Sequence, residues 1–491
     1  MKLLCLLLSL LLLLTGCDKA GGTTESTDEH KENTIVQLDI YAINDLHGKL
    51  VDTADQPGVD ELSAYLKQAE QAGNTLLLAT GDMWQGAAES NLTGGNIVTE
   101  WMNEMGFAAM TLGGHEYDWG EEQIRQNREL AAFPFLGINI YNRATNERVD
   151  YCQSSVVVEV DGAQIGIIGA IGNCYYSIDS AHTQDVYFKT GDALTALVKA
   201  EAEALREQGV DCIVYAIHDG YDQNSPTADT TPIEDAELAD YYDVALSDGY
   251  VDLVFEADTH FRYTLIDHYG VYHLQAGGNN DGISHAQVAI DTHNGQTSVT
   301  AAQRIAADTY SAGEDDPIVE QLLDRYRQQI HPGEELVGTN SRYRGKDQIC
   351  RLVANLYRTK GEETWGAEYD IVLGGGYISC RSPGHLPAGE VRYSHLMSLL
   401  PFDNQIVLCS IRGRDLMKRF LETDNEAYYV RTTDYYEEIR NSIDPNGVYY
   451  VVTDTYSANY SYNNLTIIDT YAEDVFARDL VAEYIAAGGW E

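Results

Sequence analysis

Histidines and aspartates stand in short blocks along the first half of this chain, and each block follows an apolar run. Imidazole nitrogens and carboxylate oxygens are ligands that zinc and related divalent cations take in proteins. A pair of such cations needs a bridging carboxylate and further donors, and it lowers the pKa of water enough for hydrolysis near neutral pH. The sequence therefore offers the composition of a metal site. Its members are Asp45, His47, Asp82, His115, His218, Asp258 and His260.

The elements that must position these side chains are predicted by the pattern of apolar residues. Strand-length apolar runs alternate with amphipathic helical patterns, which is typical of a layered α/β domain. The carboxyl ends of the strands in such a sheet converge on one crevice. Because the histidines and aspartates follow the strands, we expect them to meet there. The predicted strands cover residues 35–43, 75–80, 108–112, 212–217 and 251–255, with a hairpin at 156–160 and 164–170.

A second unit begins after an acidic, polar stretch at residues 312–317. The pattern predicts one amphipathic helix at 318–330, and Pro332 ends it, so this segment is interpreted as the connection between two domains. Beyond it the sequence predicts a helix at 347–357 and strands at 371–373, 406–411 and 449–453.

The motif set of the calcineurin-like metallophosphoesterases resembles five blocks of this chain in order and spacing. The blocks are 44–48 (NDLHG), 81–86 (GDMWQG), 113–118 (GGHEYD), His218 and 258–260 (DTH). Residues 374–376 (GGG) through 400–404 (LPFDN) resemble the C-terminal domain of the bacterial 5′-nucleotidase and 2′,3′-cyclic-nucleotide phosphodiesterase family. The resemblance implies an α/β fold with a four-layer metallophosphoesterase domain at 34–312, a linker helix at 313–334, and a second, smaller α/β substrate-binding domain at 335–491.

The resemblance also implies which residues hold two divalent metal ions, expected to be Zn, Mn or Co. The first site takes the family ligands Asp45, His47, Asp82 and His260, with Asp82 bridging to the second metal. At the second site His218 matches, but Gly114 stands where the family has an asparagine, and Asp258 stands where it has a histidine. We therefore expect a weaker, more exchangeable second metal, or a shift toward a harder ion such as manganese.

His115 matches the catalytic histidine of the family, and Asp118 matches the acid that orients it. An imidazolium can stabilise the charge that develops on phosphoryl oxygens during ester hydrolysis. A neighbouring carboxylate fixes the imidazole tautomer and favours its protonated form. The resemblance therefore implies that these two residues are catalytic.

In the family, the C-terminal domain stacks a nucleobase between two aromatic rings and binds phosphate or ribose through arginine. Phe402 matches the first ring, and Tyr456 stands where the second is expected, although this Tyr-rich chain uses tyrosine freely elsewhere. The arginine expected directly after the glycine run is missing, which leaves Arg381 as a displaced candidate. Arg342 or Arg344 is the candidate for a further phosphate contact, and an ordinary surface charge is the alternative; we favour Arg344.

The first residues have the pattern of a lipoprotein signal peptide. Lys2 precedes a leucine-rich run too short to span a bilayer, and the run ends in a segment that resembles a lipobox before Cys17. We predict a signal peptide at 1–16, a lipid-modified Cys17, and a flexible tether at 17–33, which would anchor the protein to the outside of a bacterial cell membrane. An ordinary secretory signal is the alternative. An exported location also permits a disulfide, for which Cys152 and Cys174 are the candidates.

The charge balance restricts the partners. Asp and Glu outnumber Lys and Arg by 77 to 31, for a net charge of −46, so polymeric nucleic acid is an unsuitable ligand. A small nucleotide remains possible because metal cations would meet its phosphate. The sequence thus predicts a hydrolase that cleaves nucleotide phosphate esters with metal-activated water outside the cytoplasm. The alternative is a lipoprotein that binds a phosphorylated ligand without turnover because its second metal site is degraded, and a scaffold role ranks third.

Overall fold

A computed structural model describes most of the chain after its first residues. It covers residues 35–53, 57–220, 250–267, 269–421, 430–432, 436–459, 464–472 and 474–490. The predicted signal peptide, Cys17 and the tether lie outside these ranges. None of the helices within them is long and apolar enough to cross a membrane.

Two β-sheets form the centre of the N-terminal domain. The first has the strand order β14-β13-β1-β2-β3-β4, and the second β11-β12-β10-β9-β7-β6. Neighbours from β1 to β4 are parallel, as are β7, β9, β10 and β12. The strands are β1 Ile35–Ile43, β2 Thr75–Ala79, β3 Ala109–Thr111, β4 Phe135–Leu136, β6 Ser155–Val160, β7 Ala163–Ile171, β9 Cys212–His218, β10 Leu253–Phe255, β11 Arg262–Ile266, β12 Tyr272–Ala276, β13 Gly282–Asp291 and β14 Gln296–Ala306, with the small pair β5 Ile140–Asn142 and β8 Val186–Phe188.

Helices cover the outer faces of both sheets. Inward residues of the two sheets, such as Leu38 and Val214, form one buried cluster between them. The outer face of the first sheet packs against helices Asp60–Ala72, Asn96–Met105, Gly120–Leu130 and Ile318–Ile330. Helix Asp192–Glu207 packs on the outer face of the second. The four layers confirm the predicted fold class, and both parallel sheets end at the same side of the domain.

The C-terminal unit contains a separate five-stranded sheet of order β21-β17-β22-β20-β23. Apolar clusters cover both of its faces, and one of them includes residues of helices Lys346–Trp365 and Ala477–Ala486. The remaining strands and helices are β15 Leu336–Asn340, β16 Arg344–Gly345, β17 Ile371–Tyr377, β18 His385–Leu386, β19 Gly389–Arg392, β20 Ile406–Arg412, β21 Val430–Thr432, β22 Val448–Asp454 and β23 Thr466–Thr470, and helices Ala88–Leu92, Tyr393–Leu399, Gly413–Leu416, Tyr436–Ser442 and Thr455–Asn459.

Two expectations need correction. Strand β17 does not stop at residue 373, because the glycine run continues the strand to Tyr377. A Cβ atom on Gly374 would lie 2.2 Å from the carbonyl oxygen of Ala354, so close packing on a helix accounts for this glycine.

The proposed bridge between Cys152 and Cys174 is also wrong. The Cys152 thiol faces the carbonyl of Gly137, and no disulfide occurs in the part of the chain that the structure describes.

Candidate metal centre and active site

The loops after five strands of the N-terminal domain bring the predicted ligands together. Asp45 and His47 follow β1, Asp82 follows β2, His218 ends β9, and Asp258 and His260 follow β10. Ligand atoms within 4.8 Å of one another form two groups that share Asp45: one contains Asp45, His47 and His260, and the other contains Asp45, Asp82 and His218. His115 follows β3 at the same edge. The structure therefore places the predicted ligands side by side.

Most of these residues have an uncommon backbone conformation. Asp45, His47, Asp82, Asp258 and His260 all have positive φ angles, between 49° and 67°. A side chain in this left-handed region is strained, and such residues collect where the surrounding structure holds a functional geometry. His218 differs because it belongs to strand β9. The loops thus hold five of the six predicted ligands against a local conformational cost.

In the first ligand group, two histidine side chains face each other with their ring nitrogens. Nδ1 of His47 lies 2.9 Å from the carbonyl oxygen of Gln85, so it carries the proton and donates it. The Nε2 lone pair of His47 then faces Nε2 of His260 at 3.1 Å, and that nitrogen lies 3.4 Å from Oδ1 of Asp45. Burial, followed by the neighbouring His260, holds the pKa of His47 well below its usual value. A cation bound between these atoms would satisfy all three side chains.

At the second ligand group, His218 also directs an imidazole nitrogen toward a neighbouring carboxylate. Its Nδ1 lies 2.7 Å from the carbonyl oxygen of Thr80, and its Nε2 lies 3.2 Å from Oδ1 of Asp82 without making a hydrogen bond. Burial lowers the pKa of His218, but the carboxylates of Asp82, Asp45 and Asp258 together outweigh burial and raise the pKa well above its usual value. A proton or a metal ion must stand between these two buried groups. The donor set fits divalent cations.

His115 lies beside the metal ligands and is held from two sides. Its Nδ1 is 2.8 Å from Oδ2 of Asp118, and its Nε2 accepts a hydrogen bond from Nη2 of Arg381 at 2.7 Å. Burial lowers the pKa of His115, but the carboxylates of Asp118 and Asp82 more than compensate and raise it. Arg381 belongs to the C-terminal domain, so the two domains meet directly at this imidazole.

A cavity of about 810 Å³ opens between the two domains. Its N-terminal wall includes His47, Asp82 and His115, while Tyr377, Phe402 and Tyr456 belong to the opposite wall. Contacts beside it join the domains: the backbone N–H of Ala88 donates to Oγ of Ser398 at 3.2 Å, and Lys49 donates to the carbonyl of Ser382 at 3.3 Å. The candidate metal ligands thus form one wall of an interdomain cleft.

Comparison with known proteins gives matches in both domains. Residues 333–437 match the family described as 5′-nucleotidase, C-terminal domain. The chain is 24% identical over 414 residues to protein UshA of Yersinia enterocolitica, which covers 76% of this chain and 72% of that protein. A solved 5′-nucleotidase precursor from Thermus thermophilus has a TM-score of 0.68 at 17% identity, covering 92% of this chain and 96% of that one. Residues 333–437 thus match the 5′-nucleotidase C-terminal domain, and the fold of the whole chain is similar to that of a solved 5′-nucleotidase.

A shorter match is higher in identity. Over 158 residues the chain is 34% identical to a 5′-nucleotidase of Vibrio vulnificus, covering 30% of this chain and 28% of that protein. The match thus spans less than a third of that relative. The two-domain fold of the Thermus structure agrees with the fold that the motifs implied.

Gly114 and Asp258, the two positions that depart from the expected motif, lie beside the second ligand group. At Gly114, a Cβ atom would meet only Cγ1 of Ile178, at 3.6 Å, so the space for a longer side chain is open. Asp258 Oδ1 lies 4.0 Å from Nε2 of His218. Burial, with Asp82 and Asp45 adding to it, raises the pKa of Asp258 to about 7. Asp258 can therefore add a carboxylate to the second ligand group, whereas Gly114 has no side chain to contribute.

The candidate substrate residues fall into two sets. Arg381, Phe402 and Tyr456 line the cleft, where the Arg381 guanidinium lies 5.1 Å from the centre of the Phe402 ring. Arg344 is not among the lining residues. Its guanidinium lies over the ring of Trp490, 5.1 Å from the centre, and its Nε donates to Oδ1 of Asn340. The structure therefore does not bring Arg344 to the metal ligands.

Glu116 supports the candidate site, although it is not among the predicted ligand or catalytic residues. Its buried carboxylate accepts hydrogen bonds from the backbone N–H groups of Asp82, Met83 and Gly113 at 2.7 to 2.9 Å. One side chain thus joins the loop after β2 to the loop after β3. The signal was the acidic residue inside the GGHEYD motif, but only the fold shows that its hydrogen-bond donors are backbone groups of two ligand loops.

Proposed function

We propose that this protein is a metal-dependent phosphoesterase that hydrolyses nucleotides in the manner of a 5′-nucleotidase. The observation that carries the proposal is the convergence of imidazole and carboxylate donors on one wall of the interdomain cleft, with aromatic rings on the other. The match of residues 333–437 to the 5′-nucleotidase C-terminal domain and the similarity of the chain to 5′-nucleotidases support it. The two walls of the cleft suit the two parts of a nucleotide. The metal ligands would hold the cations that bind its phosphate, and the aromatic rings can stack on its flat base.

The N-terminal residues would hold the metal ions. We propose Asp45, His47, Asp82 and His260 for the first ion, and Asp82, His218 and Asp258 for the second. Two bound cations supply Lewis acidity toward the phosphoryl oxygens and lower the pKa of bound water. The protein's own contribution is to fix both imidazole tautomers through the backbone carbonyls of Gln85 and Thr80.

His115 and Arg381 would exchange partners when substrate binds. Asp118 accepts the Nδ1–H of His115, so Nε2 points into the cleft and receives the Arg381 hydrogen bond. A phosphate is a stronger acceptor for a guanidinium than a neutral imidazole is. We infer that the substrate phosphate binds Arg381, and that His115 Nε2 then takes up a proton from solvent and donates a hydrogen bond to the developing charge.

Phe402 and Tyr456 are proposed to stack the base. Base stacking on an aromatic ring contributes about 1 to 3 kcal/mol per base. Tyr377 packs edge-on against Tyr456, with ring centres 6.4 Å apart, and this contact supports the second ring. Sugar and base identity would then influence binding more than the chemical step.

Location and domain limits also remain proposals. We propose that the enzyme acts outside the cytoplasm, anchored through a lipidated Cys17, because the leader pattern and the family both fit an exported protein. Domain limits of 34–312 and 335–491, with 313–334 between them, fit the two separate sheets.

Hydrolysis of a nucleotide panel tests the proposed function. Purified protein supplied with zinc, manganese or cobalt should release phosphate, and excess chelator should abolish the release. His115→Ala should lower kcat by roughly 10²- to 10⁴-fold, the usual contribution of a proton-donating side chain, while metal content is unchanged. His331→Ala, at an exposed position, is the control for histidine replacement.

The same assay distinguishes the alternative. If no metal gives turnover above that of His115→Ala while a nucleotide still binds, the protein is a binding lipoprotein, and the departures at Gly114 and Asp258 would explain the loss. If neither turnover nor nucleotide binding is found, both functions are wrong.

A further inference from the structure

Cys174 lies beside the second ligand group, although it belongs to none of the family motifs. It sits in the short 3₁₀ helix Asn173–Ser177, which begins two residues after strand β7 ends at Ile171. Strand β7 pairs in parallel with β9, and Ile171 is the partner of His218. Cys174 therefore follows the carboxyl end of a strand, as the histidine and aspartate ligands do.

The turn that carries Cys174 is fixed against the end of β9. The backbone N–H of Gly172 donates to the carbonyl of His218 at 3.0 Å, and the N–H of Asn173 donates to Oδ2 of Asp219 at 2.7 Å. A Cβ atom at Gly172 would lie 2.2 Å from that carboxylate, so the close approach requires glycine. The Cys174 sulfur itself lies 3.0 Å from the His218 carbonyl oxygen.

The sulfur is close enough to share a metal with its neighbours. The Cys174 sulfur and ligand atoms of His218 and Asp258 all lie within 4.8 Å of one another. Two ligand atoms on one tetrahedral zinc are about 3.4 to 3.8 Å apart, so small side-chain movements suffice. Within the described residues, Cys174 is the one cysteine that belongs to such a group.

A second observation points to a ligand at this place. The His218 side chain is fully buried, its Nδ1 is committed to the Thr80 carbonyl, and its Nε2 makes no hydrogen bond. Asp82 Oδ1 lies 3.2 Å from that nitrogen, and Asp258 Oδ1 lies 4.0 Å from it. Nitrogen, oxygen and sulfur donors thus lie around a position where a proton or a metal ion must stand between His218 and Asp82.

We propose that Cys174 is a ligand of the second metal ion, whose set is then Asp82, His218, Asp258 and Cys174. The sulfur replaces the asparagine donor that Gly114 lacks, and it approaches from β7 rather than β3. This inference rests on the proposed function for the presence of a metal pair. The thiol proton leaves to solvent as the metal–sulfur bond forms.

The ligand set changes the expected metal. A thiolate favours zinc or cobalt over manganese, since softer ions bind sulfur more strongly than hard ones do. Without Cys174, the replacement of the asparagine by Gly114 and of the histidine by Asp258 predicts a weaker second metal or a shift toward manganese. With Cys174 included, the second site takes one sulfur, one nitrogen and two oxygens, and four ligands of this kind suit tetrahedral zinc.

The competing interpretation is a buried cysteine that packs as a small apolar group. Cys212 supplies the matched control, because it is also fully buried and begins the same strand β9 that His218 ends. Cys212 and His218 are the two ends of this seven-residue strand and lie about 20 Å apart, at about 3.3 Å per residue. A packing role predicts the same effect for both cysteines, whereas a ligand role predicts an effect for Cys174 alone.

Cobalt substitution provides the test. Purified protein, Cys174→Ser and Cys212→Ser are stripped of metal and titrated with Co²⁺, and bound cobalt and near-ultraviolet absorption are recorded. The wild type and Cys212→Ser should show a thiolate-to-cobalt charge-transfer band that grows with the second equivalent. Cys174→Ser should lose the band, and its second equivalent should bind at least about tenfold more weakly.

Every outcome decides the proposal. Two bound cobalt ions without a charge-transfer band in the wild type, or a band that persists in Cys174→Ser, would overturn the ligand role and leave the proposed function standing. Failure of the wild type to bind cobalt would overturn both. In case Cys174→Ser does not fold, zinc-edge X-ray absorption of the unmodified protein should show a sulfur at about 2.3 Å, and a shell of nitrogen and oxygen alone would overturn the proposal.

Discussion

At the scale of single residues, the backbone conformation at the candidate metal centre indicates a functional site more strongly than the types of its side chains do. Asp45, His47, Asp82, Asp258 and His260 hold left-handed conformations that side chains other than glycine rarely adopt. Each costs roughly 1 to 3 kcal/mol, which the rest of the domain must offset. The layers of apolar packing on either side of the two sheets supply that support.

His273 gives a prediction that does not depend on metals. It is buried between Glu256 and Asp267, whose carboxylates lie 2.8 Å and 3.4 Å from its two ring nitrogens. Burial lowers the pKa of His273, but the hydrogen bonds to Asp267 and Glu256 outweigh it and raise the pKa to about 9. The charged pair therefore stabilises the folded state below about pH 6.5, and this contribution is lost as the pH rises through 9.

His273→Gln should consequently destabilise the N-terminal domain most at low pH. The difference in unfolding free energy from the wild type should shrink by about 3 kcal/mol between pH 6 and pH 10, measured by urea unfolding with chelator present. The exposed His331→Gln serves as the control. A difference that stays constant or grows with pH would contradict the assignment.

At the scale of elements, the loop after β3 contains two glycines with opposite surroundings. A Cβ atom at Gly113 would lie 2.4 Å from Oδ1 of Asp82 and 2.7 Å from Cε1 of His218. At Gly114 the backbone is ordinary helical, with φ −67° and ψ −44°, and the space is open. Adjacent substitutions in one turn should therefore have different consequences for the metals.

Gly114→Asn should strengthen the second metal site, because it would supply a side-chain donor where Gly114 has none. We expect an affinity increase of at least about tenfold, measured by metal titration. Gly113→Ala should instead remove metal binding by displacing Asp82 and His218. Equal effects of the two substitutions, or no change in the second site on Gly114→Asn, would show that the metal is not at this loop.

The elements themselves were predictable where periodicity and burial agreed. The helix Ile318–Ile330 and strand Ile35–Ile43 have the bounds that their apolar patterns indicate. The rule that functional residues follow strands also located His218 and Asp258. Cys174 obeys the same rule after β7, but a lone cysteine resembles a core residue in sequence, and only the register of β7 against β9 places it beside His218.

Other features depend on distant packing and could not be read from the sequence. The glycine run extends β17 because the helix Lys346–Trp365 crosses it closely. Arg381 and Arg344 were both candidates for phosphate, and nothing in their local sequence separates them. The arrangement of the two domains distinguishes these arginines, because Arg381 contacts His115 whereas Arg344 lies over the ring of Trp490.

At the scale of the whole molecule, the candidate active site requires both domains, and the two arginines test this. Arg381→Ala should lower kcat/KM for nucleotides by roughly 10- to 100-fold, the range expected for about 1.5 to 3 kcal/mol from a charged hydrogen bond. Metal content should not change, because Arg381 is not a ligand. Arg344→Ala should leave kcat/KM as it is, and equal losses in both variants would contradict the assignment of the cleft.

A crystal structure with zinc and a non-hydrolysable phosphonate analogue of a nucleoside monophosphate tests the central claim most directly. Anomalous scattering should show two metal peaks, one between His47 and His260 and one between Asp82 and His218. The base should lie between Phe402 and Tyr456, and the phosphonate should contact both metals. Absence of metal at these histidines, or a nucleotide bound outside the interdomain cleft, would contradict the account.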